Sequence, residues 1–119
     1  MPAREMYLSS KLFRLSYQQA ETDGFRIAIL STKYGLLLPD KVISPYDKTI
    51  KKMTPKEVKA WAEMVGKQFD RMFGTLNIDE VVFFASRDYR LPVEEVLRKR
   101  GIRSRVHPKW KEIYDDTFG

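Results

Sequence analysis

The sequence predicts an α/β fold: a single layered domain over residues 1–119 with a short, mostly parallel sheet flanked by helices. Three observations carry that expectation. Two apolar runs, Phe25 to Leu30 (F-R-I-A-I-L) and Asp79 to Ala85 (D-E-V-V-F-F-A), have the β-branched and aromatic content of strands buried on both faces. Longer segments around them carry apolar residues at helical spacing. Helix and strand also alternate along the chain, the rhythm of a layered domain whose parallel strands are joined by crossover helices.

Taken in order, residues 2–7 form an irregular lead that runs toward a helix. Ser9 or Ser10 caps the helix that follows by accepting a bond from a free backbone N–H, with Leu12, Phe13, Leu15, Ser16 and Ala20 along one side and Gly24 as the stop. The first strand comes next. The clearest local signal is Thr54-Pro55-Lys56-Glu57: a capping threonine, a proline at the first helical position, and a glutamate placed to close a capping box. Val58, Trp61, Ala62, Val65, Phe69, Met72 and Phe73 then recur at helical spacing up to Gly74, a stripe that reads as core. After the second strand, a third helix is expected from Leu91-Pro92 to Gly101. Ile102 to Val106 alternates apolar and basic residues as an edge strand does, and residues 107–119 end in a short helix.

Composition narrows the chemistry. The hydrophobic fraction of 43% and aromatic fraction of 13% are those of a globular chain. No apolar run approaches the roughly 18 residues a membrane span needs, and Met-Pro-Ala-Arg-Glu-Met has no signal-peptide core; no membrane and a cytoplasmic location are the expectation. The chain has no cysteine and a single histidine, His107, so disulfides, thiolate metal sites, a cysteine nucleophile and a His-rich metal site are excluded within one chain. No metal or organic cofactor is expected. The net charge of +6 asks for an acidic partner, a nucleic acid or a nucleotide. Bases gather at Lys48, Lys51, Lys52, Lys56 and Lys59, and again from Arg87 to Arg105, where the run from Arg98 also reads as a solvated face.

The stretch from Ser31 to Ile50 holds the candidate site. It is long and rich in Pro, Asp, Tyr and Lys, and long ordered loops are usually functional; the plainer reading is a surface loop pinned by Leu36-Leu37-Leu38. Ligands of parallel α/β sheets bind beyond the C-terminal ends of the strands, so Ser31-Thr32-Lys33-Tyr34-Gly35 and Ser86-Arg87-Asp88-Tyr89-Arg90 are expected to meet on one edge. Tyr34 and Gly35 offer a ring and a bare backbone to a flat base, or an anchored loop tyrosine. Ser31 and Lys33 suit a phosphate, and Ser86, Arg87 and Arg90 an anion clamp or a solvated helix start. Asp40 and Asp47 are the acid–base candidates, each following a proline-led turn and so equally placed for turn chemistry. A Walker-type glycine loop is absent.

S-T-K-Y-G-L-L-L-P-D followed by P-Y-D, from Ser31 to Asp47, resembles the YaaA-like peroxide-stress family and its largely uncharacterised bacterial and phage relatives. With those relatives the likeness extends to Tyr7-Leu8-Ser9-Ser10-Lys11-Leu12-Phe13 and to Met53-Thr54. The resemblance implies a nucleic-acid- or nucleotide-directed protein, since that family is associated with DNA protection and is similar in layout to glycosylases that cleave base–sugar bonds. On that scheme Tyr34 stacks a base, Asp47 or Asp40 manages water or the developing cation, Tyr46 binds substrate, and Arg87 and Arg90 take phosphate. Family members usually begin with a further strand, absent here. A homodimer, or a partner chain supplying that strand, is therefore one expectation; others are a non-catalytic DNA- or RNA-binding module and a structural subunit that completes a partner's sheet.

Overall fold

A computed structural model describes residues 1–119. In chain order its elements are α1 (Ala3–Met6), α2 (Lys11–Thr22), β1 (Ile29–Ser31), β2 (Gly35–Leu37), a 3-10 turn (Ile50–Lys52), α3 (Pro55–Phe73), β3 (Glu80–Phe83), α4 (Arg87–Lys99), β4 (Arg103–Val106) and α5 (Trp110–Phe118). The chain is α/β, and no helix is long and apolar enough to cross a membrane. Strand pairing resolves into two pairs, β1 with β2 and β3 with β4. The β3–β4 pair is parallel, in register from Glu80 opposite Arg103 to Phe83 opposite Val106, with α4 as its crossover. β2, not foreseen from sequence, turns back after three residues as the antiparallel partner of β1. The crossover role expected of both long helices therefore falls to α4 alone.

The chain forms two compact units: Met1–Ile29 with Leu37–Tyr46 and Pro108–Gly119, and Leu30–Leu36 with Asp47–His107. In the first unit, α2 packs on α5, and the Lys11 ammonium donates to the Asp116 carbonyl at 3.1 Å. Ser10 caps α2 through its hydroxyl, which accepts from the Phe13 N–H. The helix closes on Gly24 (φ +74), where the N–H groups of Gly24 and Phe25 reach back to the carbonyls of Glu21 and Ala20. This double closure needs the left-handed backbone that glycine adopts freely. It also commits the Phe25 amide to the helix end, which takes Phe25 out of the predicted strand; the strand itself starts at Ile29. Met1 and Ile43 exchange main-chain hydrogen bonds beside a Pro2–Val42 bridge, which ties the lead to the 41–43 segment.

The second unit is built on α3. Its Thr54 and Glu57 form the predicted capping box, and its stripe of Trp61, Ala62, Val65, Phe69 and Phe73 is buried as expected. α4 begins at Arg87, one turn before the predicted start, with Ser86 as its N-cap and Pro92 inside the helix. The Ser86 carbonyl accepts from the N–H groups of both Tyr89 and Arg90. Proline at that position removes one intrahelical bond. The Tyr89 ring, edge-on to Trp61 at 6.0 Å between centroids, gives the extra turn a packing contact in return.

α3 and α4 approach closely at Gly66, where an added Cβ would stand 2.4 Å from Val96 Cγ1. Glycine is there for space, and the β-branched Val96 has little rotamer freedom with which to yield. Gly66→Ala should therefore destabilise the protein by about 1–2 kcal/mol despite alanine's better helix propensity. Thermal unfolding will measure this, and Val96→Ala in the same chain should recover part of the loss.

A second tie between these helices is the bidentate pair in which Arg100 Nε and Nη2 donate to Asp70 at 2.8 and 3.0 Å. Those hydrogen bonds hold the Asp70 carboxyl below its ordinary value. A carboxylate depressed by folding adds stability above its unfolded pKa, and that contribution is lost as pH falls through the lower folded value. The urea midpoint should therefore drop as the solution is acidified below about pH 4, and Asp70→Asn should make that drop shallower.

Candidate functional site

The predicted site segment is a hairpin turn clamped by α3. Ser31 has no exposed surface; its carbonyl accepts from the Trp61 indole N–H at 2.8 Å, and its hydroxyl accepts from the Tyr34 N–H at 3.0 Å. The Thr32 hydroxyl, also buried, donates to the Lys48 carbonyl at 2.8 Å. Gln68 takes hold of the turn from the other end: its amide nitrogen donates to the Tyr34 carbonyl at 2.8 Å, and its amide oxygen accepts from the Leu36 N–H at 2.7 Å. Gly35 lies between those two bonds at φ +80, where a Cβ would stand 2.2 Å from Gln68 Oε1 and 2.9 Å from Met64 Cε. Both the backbone angle and the close approach require glycine.

Tyr34 is thus fixed at both main-chain groups, while its side chain is partly exposed with the Lys33 ammonium 5.1 Å over the ring. Ser31, read from sequence as a phosphate ligand, is sealed in the turn and gives it shape. Lys33 remains at the surface.

Trp61 joins the two strand-end segments that were expected to meet: it bonds the Ser31 carbonyl and packs on Tyr89 in the first turn of α4. The 3-10 turn carrying Lys51 and Lys52 lies against α4. Lys33, Lys48, Lys51, Lys52 and Arg87 therefore stand on segments fastened to one another around Trp61. Lys51, Lys52, Lys56, Lys59 and Arg87 are exposed and form no ion pair. Arg90, by contrast, is paired with Glu94 at 2.7 Å, and its buried Nε finds no partner. Arg98, Arg100 and Arg105 are matched by Glu95, Asp70 and Glu80. The basic run from Arg98 is thus largely neutralised along its length, whereas the lysines around the start of α3 are not.

The two carboxylate candidates fall in different units. Asp40 belongs to the first, in a turn closed by the Lys41 N–H on the Leu38 carbonyl, and its exposed carboxylate pairs with Arg4. Its turn position after Pro39 is the plainer of its two readings. Tyr46 also belongs to the first unit, with its hydroxyl 2.5 Å from that of Tyr7. Asp47 belongs to the second unit, exposed and without an ion pair, next to Lys48.

A family model described as a family of unknown function matches residues 1–113. The chain belongs to DUF6884. The DUF6884 match takes in every candidate residue above and segments of both units. No curated protein and no solved structure matches the chain.

Two residues central to this DUF6884 site were not singled out by sequence. Trp61 reads as core, which it is, but its indole N–H also sets the turn. Gln68 stands three residues after Val65 and seven after Trp61, on the buried stripe of α3, and a polar side chain on such a stripe is the signal that exposes it. Trp61→Phe keeps the aromatic bulk but removes the indole hydrogen bond to the buried Ser31 carbonyl, and should lower stability by about 0.5–1.5 kcal/mol. Denaturant unfolding should show that loss as a shifted midpoint with an unchanged slope.

Proposed function

We propose that this chain binds nucleic acid through the basic surface of its second unit, with Tyr34 as a base-stacking residue. One observation carries the proposal: the second unit holds fifteen Lys and Arg against nine Asp and Glu, while the first holds seven of each. The whole net charge of +6 therefore resides in the unit that presents Tyr34. Lysines without ion pairs in the same unit as a partly exposed aromatic ring are the elements of a surface that tracks a phosphate backbone and stacks on bases. The resemblance of residues 31–47 to the YaaA-like family, associated with DNA protection, points the same way.

On this reading the phosphate contacts fall to Lys51, Lys52, Lys56 and Lys59, whose ammonium groups no carboxylate of the chain neutralises. Counterion release then dominates affinity, with log K falling by about 0.7 per phosphate contact against log salt on a single strand. The test is a salt titration with labelled single- and double-stranded DNA and RNA. Replacing the four lysines by glutamine should flatten the single-strand slope by about 3, whereas replacing the already paired Arg98 and Arg105 should barely change it. Absence of binding at low ionic strength would overturn the proposal.

Cleavage of a base–sugar bond is a second reading, favoured by Asp47, an exposed carboxylate without an ion pair beside Lys48. Asp47→Asn would then stop release of free base while leaving strand affinity in place.

A further inference from the structure

The use made of Gln68 exceeds what packing requires. It occupies a helix face otherwise given to Val65 and Phe69, where an apolar side chain would bury well, yet both ends of its amide go to the main chain on either side of Gly35. Gly35 is the counterpart of that choice: any side chain at this position would run into the Gln68 amide oxygen. Tyr34 is held from both sides as a result, by the Ser31 hydroxyl at its N–H and by Gln68 at its carbonyl. The residue is partly exposed, with the Lys33 ammonium 5.1 Å over its ring.

An aromatic residue that is partly exposed and has its main chain fixed loses little conformational freedom when a planar ligand arrives. Duplex bases already stack on each other, so such a ring takes an unpaired base. We infer that Gln68 is a positioning residue, which presents the Tyr34 ring to an unpaired base of a single strand. The inference rests on the nucleic-acid reading and gives that surface a substrate class.

Stacking and charge separate with two polyanions: an oligothymidylate, and a polyphosphate matched to it in charge. Both engage the lysines, and only the first offers bases. The protein should bind the oligothymidylate more tightly by about tenfold, the size of one stacked base. Gln68→Met, an apolar side chain of similar size, should remove that preference while leaving polyphosphate affinity and both salt slopes unchanged. Tyr34→Ala should do the same, and adding Gln68→Met to Tyr34→Ala should cost no further affinity. Gln68→Glu is the milder change: it retains an acceptor for the Leu36 N–H and releases only the Tyr34 carbonyl, so it should lose the same preference in a chain that still folds.

Equal loss toward both polyanions in Gln68→Met and Gln68→Glu would overturn the inference in favour of a purely structural role. Equal binding of both polyanions by the unaltered protein would overturn it and leave the basic surface standing. Binding of neither would overturn it together with the nucleic-acid reading.

Discussion

Three hydrogen bonds from two side chains of α3 hold the segment on which the second unit's surface depends. Trp61 and Gln68 are seven residues apart, two turns of helix and about 10 Å along its axis. Trp61 fixes the Ser31 carbonyl, and Gln68 fixes the Tyr34 carbonyl and the Leu36 N–H. The hairpin turn is therefore laid along a helix rather than left to its own conformational preferences. Three main-chain groups of this short turn take their hydrogen bonds from those side chains. The helix face supplies them, and with them a defined position for Tyr34 and Lys33.

The distribution of charge follows from the same frame. Most arginines of the second unit sit opposite carboxylates of their own or a neighbouring element, as Arg100 does with Asp70 and Arg105 with Glu80. These pairs fasten helix to helix and strand to strand, a task suited to a planar guanidinium that binds a carboxylate with two donors. The lysines at the 3-10 turn and the start of α3 have no such counterpart. Arginine here is chiefly an internal fastener, and lysine is the charge shown to the outside.

What the sequence disclosed was governed by how local the deciding interaction is. The capping box at Thr54, the Ser10 cap, the end of α2 at Gly24 and the buried stripe of α3 depend on residues within a turn or two of one another, and each was legible. The start of α4 was misplaced because Pro92 resembles a first-turn proline; the extra turn carries a ring contact to Trp61, a residue distant in sequence. β2 escaped notice because Gly35-Leu36-Leu37 is too short to show alternation. At the site, Tyr34 and Gly35 were picked out by residue type, but the burial of Ser31 and the clamp by Gln68 depend on contacts 30 or more positions away. Asp40, directly after Pro39, already favoured a turn in the sequence, but its pairing with Arg4 and the lack of an ion pair at Asp47 are tertiary facts.

The division into two units also separates nearer contacts from the most distant ones. Every residue of the second unit lies between Leu30 and His107. The first unit is gathered from three separate segments, and α2 meets α5 through a contact spanning 105 positions. Closing so long a loop costs chain entropy, whereas most contacts of the second unit join segments nearer in sequence.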